Sequence, residues 1–296
     1  MDKIKQFSSL KEATDALFGA GVRAAERVSG GDINDSYELL LTNGERVFMK
    51  SNRRSSASFF TAEAAGLAAI ADTGTIGTPK VLGHGTDGGK AFLLLSFISG
   101  TRRIPKYWET FGRELAALHS TDADAYVTGG AYGFYSDNYI GYSRQINTPH
   151  NSWSNFFRDC RLVLQFQAAE RYFDAAEIKR IYRLLDTLDR LLIEPEHPSL
   201  LHGDLWSGNF MTGDDGKAWL IDPAVYVGHA EADIAMTELF GGFSAAFYAA
   251  YREAAPMQAG YEDRRDLYNL YQLLNHLNMF GGSYLSSVNR IVKRFT

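Results

Sequence analysis

Two aspartates and an asparagine stand close together in the stretch 200–223, LLHGDLWSGNFMTGDDGKAWLIDP. Asp204 comes first, Asn209 follows five residues later, and Asp222 follows after thirteen more. A carboxylate beside a hydroxyl group can orient it and accept its proton, which suits Asp204. Mg²⁺ takes one or two carboxylates together with phosphates and waters, which suits Asn209 and Asp222 as its ligands. These residue types therefore predict phosphoryl transfer to a hydroxyl group.

The residues between Asn209 and Asp222 explain how the two could be brought together. The stretch 213–216, Gly-Asp-Asp-Gly, is typical of a hairpin turn. The apolar stretch 217–221 then predicts a strand that delivers Asp222 beside Asn209. A bare D-x4-N spacing would favour two surface aspartates and an asparagine in a turn. The complete loop, the strand and the Ile-Asp-Pro ending together favour the catalytic interpretation.

The loop 202–209 reads HGDLWSGN, with the H-x-D-L-x-x-x-N spacing of the protein-kinase catalytic loop. Protein kinases usually carry Arg after the His, and aminoglycoside and choline kinases share HGD but seldom LWSGN. The loop closely resembles that of the fructosamine kinase (ketosamine-3-kinase) family. The resemblance implies an ATP-dependent kinase, with Trp206 as a residue that binds the substrate or supports its site.

The composition excludes several other classes of protein. The chain has 296 residues, of which 45% are hydrophobic and 22% charged, as is usual for a globular protein with one large domain or two lobes. With a net charge of −5, the chain lacks the excess of basic residues that is usual for a protein that binds nucleic acid. The single cysteine, Cys160, rules out a disulfide within the chain and is expected in the core. The N-terminus lacks the apolar segment of a signal peptide, so we expect a cytoplasmic protein.

The stretch 22–50 predicts three strands, over 23–28, 36–41 and 47–50. Gly30 and Gly31 lie in the turn between the first two, where a kinase lays backbone N–H groups over phosphates. An ordinary β-turn is the alternative for the glycines alone. Lys50 ends the sequence Val-Phe-Met-Lys, which has the form of the kinase lysine strand, and would reach the α- and β-phosphates. A solvated strand end is the alternative for Lys50.

The stretch 55–73 predicts an alanine-rich helix with one acid in its middle, Glu63. We expect Glu63 to pair with Lys50 and fix its position. A hairpin is predicted over 80–98, with its turn at 87–89. Adenine is expected against the backbone where the second strand of this hairpin ends, near the two residues Ser96 and Ile98. Kinases often carry Glu where this chain has Ser96, and backbone hydrogen bonds can serve instead.

The stretch 132–150 contains too many turn-forming residues for a helix. An ordinary surface loop is one interpretation. The other is a signature loop of the fructosamine kinases, G-F-x-x-D-N-x-I-G-x-x-x-Q-x-N, which this stretch resembles. The resemblance implies that this loop borders the acceptor pocket, with Asp137 and Asn138 as residues that bind the substrate or support its site. The family usually has Pro before the Gln, where this chain has Arg144.

The rest of the chain predicts helices, over 1–20, 107–120, two within 151–193, one after Asp222 and others from 243 to 287. Asp233 lies near the start of the helix after Asp222, and we expect it to support the catalytic loop by hydrogen bonds. A capping residue is the alternative. The polar residues Asn275, His276 and Asn278 either line the pocket or satisfy one another in the core, and the core is favoured.

These features predict an α+β, two-lobed, protein-kinase-like fold. Residues 1–98 would form a small antiparallel β-rich lobe that binds the nucleotide. Residues 99–296 would form a larger, mainly helical lobe for catalysis and substrate binding, with ATP in the cleft between the lobes.

The resemblance implies that the chain phosphorylates a ketosamine of the fructosamine or ribulosamine type at the sugar C3 hydroxyl, with ATP and Mg²⁺ as cofactors. The phosphorylated ketosamine is unstable, so the implied role is deglycation. The ketosamine could be a small molecule or protein-bound; no nucleic-acid or membrane partner is expected, and a monomer is assumed. Two alternatives stay open: a related kinase for an aminoglycoside, choline or homoserine-like acceptor, and a nucleotide-binding regulator without turnover.

Overall fold

The computed structural model describes residues 4–28 and 34–296, and the chain divides into two compact units. The first unit comprises Met1–Tyr107 and Phe210–Pro223, and the second comprises Trp108–Asn209 and Ala224–Thr296. The stretch 210–223, which ends one residue after Asp222, therefore packs with the N-terminal part of the chain. The functions assigned to the two predicted lobes stay predictions.

The elements follow in chain order, first to the end of the large sheet: β1 (Gln6–Phe7), α1 (Leu10–Phe18), β2 (Val22–Arg27), β3 (Asp35–Leu41), β4 (Arg46–Arg53), α2 (Ala57–Asp72), β5 (Val81–Asp87) and β6 (Lys90–Ser96). The chain continues with α3 (Tyr107–His119), β7 (Asn138–Ile140), β8 (Ser143–Gln145), α4 (Trp153–Phe157), α5 (Val163–Ala168), α6 (Ala175–Asp186), α7 (Leu188–Leu191), β9 (Ser199–Leu201), β10 (Phe210–Thr212), β11 (Ala218–Leu220) and β12 (Tyr226–Gly228). It ends with α8 (Glu231–Leu239), α9 (Ala245–Ala254), α10 (Tyr261–Phe280) and α11 (Leu285–Arg294). This mixture confirms the α+β class, and the predicted strands and the later helices are present to within a few residues. The prediction of one helix over 1–20 was wrong for its first part, because from residue 4 on the chain forms a strand at Gln6–Phe7 and a helix only over Leu10–Phe18.

The first unit is built on a six-stranded sheet in the order β1-β5-β6-β4-β3-β2. All neighbours are antiparallel except β1 and β5, which are parallel. The strand β1 was not predicted, because two residues are too few to show an alternating pattern. Ser9 caps α1, since its hydroxyl accepts the Glu12 N–H at 3.0 Å.

Alternation along β4 decides which helix each side chain meets. Val47 and Met49 pack in the core cluster that contains Ala13 of α1. Phe48 faces the other side and packs in the cluster that contains Phe60 of α2. Lys50 is two residues further along than Phe48, so it faces α2 as well.

The second unit is mainly helical, and its longest helix is α10. The first of the two helices predicted within 151–193 is interrupted: α4 and α5 are separated by a π-helical turn, Arg158–Leu162. Cys160 lies in this turn and is buried and free, as expected. Two polar residues on α10 bond through Gln165 of α5: Asn278 Nδ2 donates to Gln165 Oε1 at 2.7 Å, and Gln165 Nε2 donates to Asn275 Oδ1 at 3.4 Å. The buried Asn278 Oδ1 has no hydrogen-bond partner among the described residues, so the role of these polar residues stays a prediction.

The hairpin β10–β11 belongs to the first unit and has the predicted turn. Gly213 N donates to the Lys217 carbonyl at 2.8 Å, and Gly216 closes the turn at φ +77°. Across the described ranges, none of the helices has both the length and the apolar character that crossing a membrane requires.

Candidate active site

Lys50 lies between two carboxylates in the first unit. Its Nζ donates to Glu63 Oε1 at 2.6 Å and also to Asp222 Oδ1. The side chains of Lys50 and Glu63 are 8% and 13% exposed, whereas that of Asp222 is 40% exposed. The cluster therefore has a buried end at Glu63 and an open end at Asp222.

Charge and burial act against each other in this cluster. Burial disfavours the charged form of Lys50, but the carboxylates of Asp222 and Glu63 outweigh it and raise the Lys50 pKa above its usual value. The pKa of Glu63 is raised, because burial and the charge of Asp222 outweigh the attraction of Lys50. Lys50 thus stays a cation at neutral pH and offers a fixed positive charge.

Asp222 has a backbone conformation that few residues other than glycine adopt, with φ at +54°. Left-handed conformations are less unfavourable for Asp than for most residues, but they still cost about 1 kcal/mol or more. The conformation places the Asp222 carboxylate on Lys50 directly after β11. The hydrophobic pattern of this stretch does not predict that backbone conformation.

The predicted catalytic loop, 202–209, lies in the second unit, and its two ends are joined by hydrogen bonds. Asn209 Nδ2 donates to the Asp204 carbonyl at 2.8 Å and to Asp204 Oδ2 at 3.1 Å. Since both bonds use the amide nitrogen, the side-chain oxygen of Asn209 is the atom that it can offer to a cation. Trp206 is 40% exposed, and a Cβ on Gly208 would approach its ring to 2.4 Å. Glycine at position 208 therefore lets the Trp206 ring lie against the loop.

Asp233 of α8 holds the start of this loop. Its carboxylate accepts the backbone N–H of His202 at 2.7 Å and that of Gly203 at 2.9 Å. His119, at the end of α3, lies 3.2 Å from the same carboxylate through Nε2 and 2.7 Å from the Tyr251 hydroxyl through Nδ1. These three side chains form a buried row behind the loop.

The electrostatics of the row keep Asp233 ionised. Burial raises the pKa of this carboxyl, but the hydrogen bond and charge of His119, the charge of His202 and the Gly203 N–H together lower it below its usual value. Asp233 was predicted to support the loop by hydrogen bonds, and in the structure its carboxylate accepts the two backbone N–H groups described above. Their effect on turnover stays a prediction.

The signature loop is tied down mainly by its own amides. Asn138 is buried, donates to the Val225 carbonyl at 2.6 Å, and accepts from Gln145 Nε2 at 2.8 Å. Asp137 accepts from Asn147 N at 2.8 Å and from Arg144 at 2.8 Å. Asp137 and Asn138 thus support the loop through contacts within the protein.

The remaining predicted nucleotide residues are less informative. The Ser96 hydroxyl accepts the Lys80 N–H at 2.8 Å, at the end of β6. Ile98 follows β6 outside any helix or strand and is half-buried. Gly30 and Gly31 lie outside the described residues. The assignment of Ser96, Ile98 and the two glycines to nucleotide binding stays a prediction.

Each unit carries a side chain of the kind that Mg²⁺ binds together with phosphates and waters. In the described part of the chain, no three His, Cys, Asp or Glu side chains are grouped so as to hold a metal. Asp222 offers a partly exposed carboxylate and Asn209 an amide oxygen. Mg²⁺ is commonly bound by one or two carboxylates with substrate phosphates and waters, rather than by protein ligands alone.

Sequence reasoning missed three buried residues of the second unit. None of His119, Tyr251 and Arg161 is among the residues predicted for the site. His119 and Tyr251 are 132 residues apart in the chain, and Arg161 and Asn147 are 14 apart. No local sequence pattern therefore reveals these contacts. The one available signal was a histidine and an arginine within otherwise apolar helical patterns.

Comparison with known proteins decides the family. A sequence profile described as Fructosamine kinase matches residues 5–296. This chain belongs to the fructosamine kinase family. It is 40% identical over 283 residues to a probable ketoamine kinase of Synechocystis sp., with 93% of this chain and 92% of the relative covered. It is 38% identical over 275 residues to the chloroplastic protein-ribulosamine 3-kinase of Oryza sativa subsp. indica, with 92% and 78% covered.

Solved structures agree with this placement. A candidate fructosamine-3-kinase from Haemophilus somnus 129PT superposes with a TM-score of 0.85 at 32% identity, covering 97% of this chain and 96% of the other. A macrolide 2'-phosphotransferase type I superposes with a TM-score of 0.61 at 17% identity, covering 96% and 95%, which shows a shared fold alone. The chain is therefore a phosphotransferase of the kinase type with the two-lobed, protein-kinase-like fold, as predicted. Because the members of this family are kinases, the alternative of a nucleotide-binding regulator without turnover is disfavoured.

Proposed function

We propose that this kinase transfers the γ-phosphoryl group of ATP to the C3 hydroxyl of a ketosamine of the fructosamine or ribulosamine type. The observation that carries the proposal is the Lys50 cluster, in which Glu63 is buried and Asp222 stays partly open. The relatives named as ketoamine and ribulosamine 3-kinases support the acceptor class.

On the nucleotide side, Lys50 holds the phosphates and Glu63 fixes its position. Because Glu63 is buried, an unpaired charge on it would be costly, and its ion pair with Lys50 therefore holds the Lys50 side chain in one position. Asn209 and Asp222 would hold Mg²⁺, which supplies positive charge to the phosphate oxygens. The Gly30-Gly31 turn, Ser96 and Ile98 complete the proposed nucleotide contacts.

On the acceptor side, Asp204 accepts the proton of the sugar hydroxyl as its oxygen forms a bond to the γ-phosphorus. The bond from that phosphorus to the bridging oxygen breaks, and ADP leaves. The Asn209 amide N–H groups hold both the Asp204 carbonyl and its carboxylate, which restricts the rotation of the base. Asp233 fixes the backbone immediately before Asp204.

The biological consequence follows from the product. A ketosamine phosphorylated at C3 is unstable and releases the amine, so the proposed role is deglycation, in the cytoplasm, of a free or protein-bound amine. No nucleic-acid or membrane partner is part of the proposal, and the chain is taken as a monomer.

The test is ADP release with ATP, Mg²⁺ and a panel of fructosamines and ribulosamines. Matched amines without the sugar serve as substrate controls, and D204A serves as the enzyme control. We expect release that requires a ketosamine and disappears in D204A. Release with aminoglycosides, choline or homoserine but with no ketosamine would replace the proposal by the related small-molecule kinase.

A further inference from the structure

Arg161 is a buried cation that the proposed mechanism does not use. It lies in the π-helical turn between α4 and α5, and its side chain is fully buried, with 0% exposed. Such turns within helices are frequently found at functional sites. A buried guanidinium normally pairs with a carboxylate, because an uncompensated charge is costly to remove from water.

The partners of Arg161 are neutral. Its Nη1 donates to the Ile146 carbonyl at 2.7 Å and to the Cys160 carbonyl at 3.0 Å, and its Nη2 donates to Asn147 Oδ1 at 2.8 Å. Aromatic rings surround the guanidinium, and their centroids lie at 4.0 Å (Tyr226), 4.6 Å (Phe156) and 5.5 Å (Tyr271). Ring faces stabilise a desolvated cation without neutralising it, so the positive charge remains available to the surroundings.

A chain of side-chain amides leads away from this cation. Asn147 accepts from Arg161 and donates through Nδ2 to Asn138 Oδ1 at 3.1 Å, and Asn138 donates to the Val225 carbonyl at 2.6 Å. Gln145 joins the chain by donating to Asn138 at 2.8 Å and to the Ala224 carbonyl at 2.9 Å. We call Asn147, Asn138 and Gln145 the amide chain. The bonds from Arg161 through Asn147 and Asn138 to the Val225 carbonyl all point away from the cation, so its charge polarises them in one direction, whereas Gln145 donates back into the chain at Asn138.

The amide chain ends beside the catalytic loop. The Tyr271 hydroxyl of α10 donates to Gln145 Oε1 at 2.8 Å, and the next residue, Gln272, donates to the Gly203 carbonyl at 3.1 Å. Burial raises the pKa of Tyr271, and the charge of Asp204 adds to that rise while Arg161 opposes it. Tyr271 is thus within electrostatic range of both the buried cation and the proposed base.

We infer that Arg161 is a positioning residue for the acceptor step, which holds the signature loop and the segment 224–225 in place through the amide chain. The inference rests on the proposed function for what the acceptor is. On this inference, the buried Arg161 holds the signature loop in place through the amide chain. The amides themselves need not contact the sugar.

The experiment compares R161M, R161K and a matched control, R158M. Arg158 lies in the same π-helical turn, but its side chain is 38% exposed and pairs with Asp159 at the surface. For R161M we expect kcat/KM for the ketosamine to fall by roughly 100-fold, as a small misplacement of reacting groups can do, with KM for ATP unchanged. R161K keeps the charge and should recover part of the loss, and R158M should match the wild type.

A second readout does not depend on turnover. Amide hydrogen exchange over 136–147 should be faster by roughly tenfold or more in R161M than in R158M, because the amide chain loses its first bond. If the wild type turns over no ketosamine, the proposed function fails, and this exchange still decides the inference. If R161M does not fold, N147A breaks the same chain with Arg161 in place and should give the same two effects.

Three results would overturn the inference. One is R161M with wild-type kcat/KM and wild-type exchange. Another is a KM for ATP that rises in R161M as much as kcat/KM for the ketosamine falls, which would place the effect of Arg161 on the nucleotide step. The last is N147A, tested in a folded protein, with neither effect.

Discussion

The two halves of the proposed site are held by different forces. In the first unit, charged side chains hold one another: Lys50 bonds both Glu63 and Asp222. In the second unit, the catalytic loop is held at its backbone: one buried carboxylate, Asp233, accepts two main-chain N–H groups. Ion pairs fix the positions of the charges, whereas backbone bonds fix the position of the chain that carries Asp204.

This difference means that the two halves should fail differently. Loss of a partner in the first unit leaves a buried charge unpaired and should weaken the nucleotide step. Loss of a partner in the second unit leaves buried N–H groups unpaired, which destabilises the loop and should slow the transfer step with ATP binding intact. The substitutions below test this, from the largest expected effect to the smallest.

Asp204→Ala removes the proposed base. We expect kcat to fall by about 10³-fold, within the usual range for a general base, and the dissociation constant for Mg²⁺–ATP to stay within about twofold. Steady-state kinetics and calorimetric titration with ATP measure the two quantities, and Asp189→Ala, at an exposed position of α7, is the control. Equal losses in turnover and ATP binding would erase the distinction between the two halves.

Lys50→Met removes the cation of the first unit. We expect kcat/KM for ATP to fall by about 10²-fold, because one positioned charge on the phosphates is lost and Glu63 is left buried without a partner. Glu63→Gln keeps a hydrogen-bond acceptor and should lose only about tenfold. Kinetics at saturating ketosamine give both values. Unchanged ATP kinetics in K50M would remove Lys50 from the nucleotide site.

Asp233→Asn keeps the size of the side chain and removes its charge. We expect kcat to fall by about tenfold and the free energy of unfolding by about 2 kcal/mol, since hydrogen bonds to a charged acceptor are the stronger ones. The folded pKa of Asp233 is lowered, so its contribution to stability is complete above the ordinary carboxyl pKa and is lost as the pH falls through the folded value. Denaturation followed from pH 7 towards pH 3 should therefore show a flatter acid decline in D233N. Identical acid declines would contradict this account.

His229→Gln tests a buried group that has no part in the proposed chemistry. Burial, followed by the charge of Arg264 and smaller effects of His119 and His197, lowers the His229 pKa from 6.5 to about 3. As the pH falls below 6.5, His229 takes up a proton in the unfolded chain while it stays neutral in the folded protein. The free energy of unfolding is therefore unaffected by His229 well above pH 6.5 and decreases as the pH falls towards 3. The wild type should lose about 2 kcal/mol more than H229Q between pH 7 and pH 5. Parallel pH profiles for the two proteins would exclude His229 as the cause.

The local elements were predictable from the sequence because their causes are local. The turn at 213–216 and the strand β4 depend mainly on the residues beside them in the chain. The pairing of Lys50 with Glu63 could be expected because a strand lysine and a lone acid on the next helix are few enough to match. The loop motif identified the family.

The long-range contacts of the second unit could not be predicted. The His119–Asp233 contact spans 114 residues and the Tyr271–Gln145 bond spans 126, so both depend on how the helices pack. The π-helical turn at Arg161 and the left-handed backbone of Asp222 are also results of tertiary packing, which overrides the local preference for a continuous helix or an extended chain.

The central claim is the acceptor atom, and it is tested most directly by following the labelled γ-phosphoryl group of ATP onto a fructosamine and a ribulosamine. We predict label on the C3 oxygen of a ketosamine, located by NMR of the product before it decomposes, with no label in the D204A reaction. Label on a different hydroxyl, or on no ketosamine while a different alcohol is labelled, would contradict the account.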